Sequence, residues 1–76
     1  RIGRDYFIRN VLIAVGNSEN KSYIPLLCSK LEEKSPLIRA MAVWALKQLC
    51  TVREFGEFKN QYTNLESDVD VQKEWH

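Results

Sequence analysis

Six residues of this chain have the chemistry to hold an anion: Arg1, Arg4, Arg9, Asn17, Lys21 and Arg39. A guanidinium is a planar fork of donors that fits phosphate or carboxylate, and a lysine ammonium is a compact point charge. Arg1 and Arg4 form a basic lead-in beside Tyr6, placed either to touch a nucleic-acid backbone or to be solvated. Arg9 and Arg39 each follow an isoleucine near the start of an apolar run. Two roles are open to such arginines: bonding the turn or acid of a neighbouring element, or contacting phosphate. Asn17 and Lys21 stand just before a helix start, where exposed N–H groups attract anions. Asn10, inside the first apolar run, either bonds a neighbouring turn or faces a ligand.

Bulk charge names no partner, since the net value is +1 over 76 residues. Its distribution says more. Residues 1–50 hold eight Lys/Arg against four Asp/Glu, a net +4, and residues 51–76 hold three against six, a net −3. A basic front suggests an anionic partner there, with ordinary surface variation as the alternative.

Catalytic chemistry is not expected. There is no carboxylate pair, Ser-His-Asp set or Cys-His set with usable spacing. Cys28 and Cys50 are not in a CxxC, and the single histidine is His76. A structural zinc needs four ligands and an iron–sulfur cluster needs several thiolates, so no metal site is expected here. The two cysteines read as buried free thiols of a cytosolic protein. No run approaches the roughly 20 apolar residues of a membrane helix. The opening RIGRDYF has no signal-peptide core, and the absence of an initial Met suggests a fragment.

The elements that must position these residues are helical. A first helix is predicted over about Asp5 to Val15, with Asp5 as N-cap and Phe7, Val11, Ala14 and Val15 as its apolar face, widened by Ile8 and Leu12. Gly16 would close it in the left-handed conformation. A second helix is predicted from Lys21 or Ser22 to Lys34, capped by Asn20, with Pro25 in its first turn. Ser35 and Pro36 start a third, apolar almost all round to Leu49, with Trp44 in the core. Thr51 and Glu54 have capping-box spacing for a fourth helix, to about Tyr62. A short last helix runs from about Ser67 through Trp75, where Trp75 is expected to be exposed for want of a further neighbour.

The chain repeats itself. Ile8-Arg9 and Ile38-Arg39 are 30 residues apart, and Val71-Gln72 lies 33 residues after Ile38. A period near 30 in a chain of short helices signals stacked helical hairpins. The expected fold is therefore all-α: a HEAT-like alpha-alpha superhelix of about two hairpins, five short helices, in one domain over 1–76. A plain helical bundle is the alternative.

The segments GRDYFIRNVLIAVGNS and SPLIRAMAVWAL narrow this further. Gly3, Arg4, Asp5, Phe7, Arg9, Asn10, Leu12, Ala14, Gly16, Asn17 and Ser18, then Ser35, Pro36, Ile38, Arg39, Ala42, Trp44, Ala45 and Leu46, resemble the C-terminal HEAT-like repeat region of epoxyqueuosine reductase. The tail with Val71 and Glu74-Trp75 is similar to that family's last acidic helix, and the likeness is weak between Thr51 and Leu65. The resemblance implies a parent enzyme with two [4Fe–4S] clusters and cobalamin, which reduces epoxyqueuosine in the wobble position of certain tRNAs. The cofactors and the catalytic acid would lie upstream, so this segment would itself hold no cofactor and catalyse nothing. Its expected role is to hold the tRNA anticodon arm through Arg1, Arg4, Arg9, Asn17, Lys21 and Arg39. The rivals are a HEAT-like protein-binding module and a structural brace on the upstream cofactor domain, the latter leaving apolar surface bare.

Overall fold

The computed structural model describes residues 2–76. It contains five α-helices: α1 (Ile2–Gly16), α2 (Ile24–Lys30), α3 (Pro36–Leu49), α4 (Val52–Tyr62) and α5 (Val69–Trp75). Single 3₁₀ turns precede α2 (Lys21–Tyr23) and follow α4 (Thr63–Leu65). No strand occurs among the described residues.

Local chemistry explains most boundaries. The Asn20 Oδ1 accepts from the Ser22 N–H at 3.0 Å and from the Ser22 hydroxyl at 2.7 Å, which opens the turn into α2. Pro25 falls in the first turn of α2, and Pro36 is the first residue of α3. Both sit where a missing N–H costs little. The capping box of α4 is complete: Glu54 N donates to Thr51 Oγ1 at 3.1 Å and Thr51 N to Glu54 Oε1 at 2.8 Å. Asp68 caps α5, accepting from the N–H groups of Asp70 and Val71.

Five expectations need correction. Helix α1 begins at Ile2, so Asp5 is a first-turn acid and not the N-cap. It still suits the positive end of the helix dipole. Gly16 does not close α1 in the left-handed region, because no described glycine has positive φ and Glu19 takes that conformation at φ 57°. Glycine is needed for a different reason. A Cβ at Gly16 would stand 2.6 Å from Trp44 Cζ3 and 3.2 Å from Ala45 Cα. That approach also selects the buried face of α1. Ile8, Leu12 and Gly16 share a stripe at i, i+4 spacing and turn to α3, while Phe7 is 68% exposed and Val11 40%. Helix α2 ends at Lys30, short of Lys34, because Ser35 before Pro36 must be extended and the chain turns to reach it. Lastly, Trp75 is 2% exposed and belongs to the core.

Helix α3 is the centre. Helices α1, α2 and α5 all pack on it, so α1, α3 and α5 form a row. The apolar pairs Ile8/Leu12, Ile38/Ala42 and Val71/Trp75 hold equivalent places in the three helices and face this common core. Their offsets are the 30 and 33 residues of the sequence repeat. The shortest dimension is 17 Å, the depth of two helix layers spaced at about 8–10 Å. Trp44 is half-buried against the same core.

Candidate functional site

Arg39 is committed to the fold. Its Nε and Nη2 donate to the two carboxylate oxygens of Glu66 at 2.9 and 3.0 Å. Its Nη1 donates to the carbonyls of Glu33 at 2.7 Å and Lys34 at 2.9 Å. The Arg39 and Glu66 side chains are 16% and 9% exposed. Glu66 also accepts from the Asp68 N–H at 3.0 Å. One guanidinium thus ties the connection before α3 to the connection before α5. Such a bidentate, hydrogen-bonded pair has the geometry that makes a mostly buried ion pair tolerable. Gln72, in the equivalent place on α5, reaches back six residues to the Glu66 carbonyl, as Arg39 reaches back six to Glu33.

Arg9 occupies that place on α1 and has no such partners. Six residues back is Gly3, already inside the helix, so there is no connection to bond. Arg9 makes no ion pair among the described residues. Its guanidinium lies 5.1 Å from the centre of the Tyr6 ring, a cation–π contact. Its Nη2 donates to Asn10 Oδ1 at 3.2 Å, and its Nε is buried without a partner. Asn10 is exposed and bonds Arg9, not a neighbouring turn.

The other anion-binding candidates are dispersed. Arg4 is exposed and touches Asp5 and Glu33 only loosely, at 3.4 Å each. Lys21 pairs with Glu54 at 2.9 Å. Asn17 is exposed beyond the end of α1, and its N–H donates to the Ile13 carbonyl at 3.1 Å. Arg1 lies outside the described residues. Arg4 and Arg9 are about 140° apart around α1, and Arg4 and Asn17 are separated by about 20 Å along it. The candidates therefore do not converge on one pocket. Glu66, the residue that decides the fate of Arg39, was not singled out from sequence. The one signal for it was its offset of 33 from Glu33.

Lys21 and Thr51 share the Glu54 carboxylate, which lies at 2.9 Å from Lys21 Nζ and 2.8 Å from Thr51 N. The Lys21 hydrogen bond first, and the Thr51 N–H second, hold its pKa below the usual carboxylate value. A depressed folded pKa gives stabilisation that is present above the unfolded value and lost as pH falls through the folded one. Acid titration below the ordinary glutamate range is therefore expected to open the α4 cap. Amide resonances of Thr51 and Glu54 would report this, and Glu54→Gln should remove the transition.

Cys28 and Cys50 are half-buried free thiols. Burial pushes both pKa values up, and for Cys50 the Glu54 and Cys28 charges add to it while Lys21 opposes. Thiols held protonated are poor ligands. No group of three or more His, Cys, Asp or Glu is placed to hold a metal ion among the described residues. These side chains do not make an iron–sulfur ligand set. Among the described residues, no helix is long and apolar enough to cross a membrane.

On α1, Tyr6 is exposed beside Arg9, while the exposed Phe7 and Val11 lie about 160° from Arg9 around the helix. The helix thus shows two separate surfaces, a guanidinium on a tyrosine ring and an apolar patch. No family model matches the chain, nor does any curated protein or solved structure.

Proposed function

We propose that this chain is the non-catalytic C-terminal helical-repeat segment of an epoxyqueuosine reductase, and that it helps position tRNA through Arg9 and Tyr6 on α1. The resemblance in Gly3–Ser18 and Ser35–Leu46 supports the family. The row α1–α3–α5, with Ile8/Leu12, Ile38/Ala42 and Val71/Trp75 in equivalent places, supports a HEAT-like superhelix. On this reading the iron–sulfur clusters, cobalamin and catalytic acid belong to the upstream domain.

The observation that carries the tRNA role is the contrast between the two repeat-equivalent arginines. Arg39 has its carboxylate in Glu66, whereas Arg9 has none and rests on an exposed tyrosine. An arginine beside a ring is suited to a phosphate with a sugar or base against the aromatic face. Arg4, loosely paired with Asp5 and Glu33 and about 140° away around α1, falls outside this contact. Arg39 drops out of the contact surface, and Lys21 is engaged by Glu54.

Titration of the labelled chain with a queuosine-type anticodon stem-loop tests this. The expected result is salt-sensitive amide shifts around Tyr6 and Arg9, with none at Arg39. Arg9→Gln should weaken binding and reduce the salt slope by about one unit. Unchanged affinity in Arg9→Gln would overturn the tRNA role. The exposed Phe7 and Val11, about 40° apart on another side of α1, favour a second reading, a brace that docks on a neighbouring domain. A titration silent at both low and moderate salt would leave the brace as the function.

A further inference from the structure

A cavity of about 370 Å³ opens between the connection before α3, the 3₁₀ turn after α4 and the end of α5. Its size is in the range of small-ligand sites. The walls are part apolar and part polar. Leu31 and Leu65 supply aliphatic surface, and the Tyr62 and Trp75 rings stack nearly parallel, 3° apart with centroids 6.1 Å apart. Leu65 is 77% exposed at the mouth.

The rim is acidic, and its carboxylates are not equivalent. Glu66 is neutralised by Arg39. Glu33 is approached by Arg4 at 3.4 Å and Lys30 at 3.6 Å. Glu32 lines the cavity, is exposed, and makes no ion pair among the described residues. Its charge reaches the Tyr62 phenol, whose pKa is pushed up by burial first and then by Cys28 and Glu32. An unopposed carboxylate beside an aromatic ring attracts a cation both by charge and by the ring quadrupole. The aliphatic surface of Leu31 and Leu65 suits an alkyl stem behind that cation.

We propose that this cavity binds a single alkylguanidinium or alkylammonium group, with its head at Glu32 and Tyr62 and its stem between Leu31 and Leu65. The group is either a free small amine or the side chain of an arginine or lysine on a partner polypeptide. None of Tyr6, Phe7, Arg9 and Val11 lines the cavity, so this site stands or falls apart from the tRNA reading.

The test is an NMR titration of the whole chain with butylguanidinium and butylamine, against butanol as the neutral analogue. Saturable shifts are expected at the Leu65 methyls, the Tyr62 ring and the Trp75 indole, with the Trp44 indole unmoved. Glu32→Gln, an exposed change that leaves the fold intact, should weaken the cation by about two- to fivefold, the worth of a partly solvated ion pair. Gly-Arg-Gly and Gly-Lys-Gly peptides with blocked ends separate the two sources. Tighter binding than the free cation identifies a polypeptide partner, and equal or weaker binding identifies a small amine. Shifts that do not saturate would overturn the proposal, as would butanol matching butylguanidinium or Glu32→Gln leaving the affinity unchanged.

Discussion

Trp75→Ala is expected to destabilise the fold by about 3–5 kcal/mol. A domain of this length holds roughly 4–11 kcal/mol in total, so the variant should be largely unfolded at warm temperatures. The reason is position. Trp75 is the largest fully buried side chain. It meets Phe55 of α4 at 5.3 Å and stacks on Tyr62, while α5 itself packs on α3. Removing the indole empties the place where three helices meet. Urea denaturation followed by circular dichroism measures it. Trp75→Phe keeps most of the contact and should lose clearly less. A loss below about 1 kcal/mol for the alanine variant, the level of an ordinary surface change, would show that α5 is not part of the cooperative core.

Glu66→Ala should have the second-largest effect. It leaves the Arg39 guanidinium mostly buried with no carboxylate, a situation that costs about 3–5 kcal/mol when burial is complete. Arg39 is 16% exposed and keeps the Glu33 and Lys34 carbonyls, so the expected loss is about 2–3 kcal/mol. The double variant Arg39→Met with Glu66→Met removes the unpaired charge and should recover part of that loss. Recovery cannot be complete, because the two carbonyls and the Asp68 N–H lose their partners. A double-mutant cycle in urea gives the coupling directly. Near-additive single effects would mean that the pair is held by solvent-like contacts despite its burial.

What could be read from the sequence was local chemistry. The Thr51–Glu54 box, the Asn20 cap and the placing of Pro36 depend on residues a few positions apart, and the structure repeats them. The repeat was legible for the same reason, since Ile8, Ile38 and Val71 mark one helix face three times. The errors are long-range. Phe7-Val11-Ala14 and Ile8-Leu12-Gly16 have the same helical period, and only Trp44, in another helix, decides between them. Trp75 looked bare because its neighbours, Phe55 and Tyr62, come from a segment whose own pattern is weak. Arg39 had two open roles, and a carboxylate 27 residues away chose one. Nothing in the spacing of Leu31, Glu32, Tyr62 and Leu65 announces that they surround one cavity.

The fit of Gly16 against Trp44 reaches beyond its own contact. Only a residue without a side chain can stand opposite the Trp44 ring. If α1 slid along α3 by one residue, Val15 or Asn17 would have to enter that space. A slide of a full turn would bring Leu12 there. Each brings heavy atoms to a place where even one carbon would sit 2.6 Å from the ring. The axial offset between the two helices is therefore a locked setting and not an adjustable one. Arg9 and Tyr6 ride on α1, so the height of this pair over the rest of the molecule is indexed by a single glycine. A partner that reads the pair meets a ruler with one graduation.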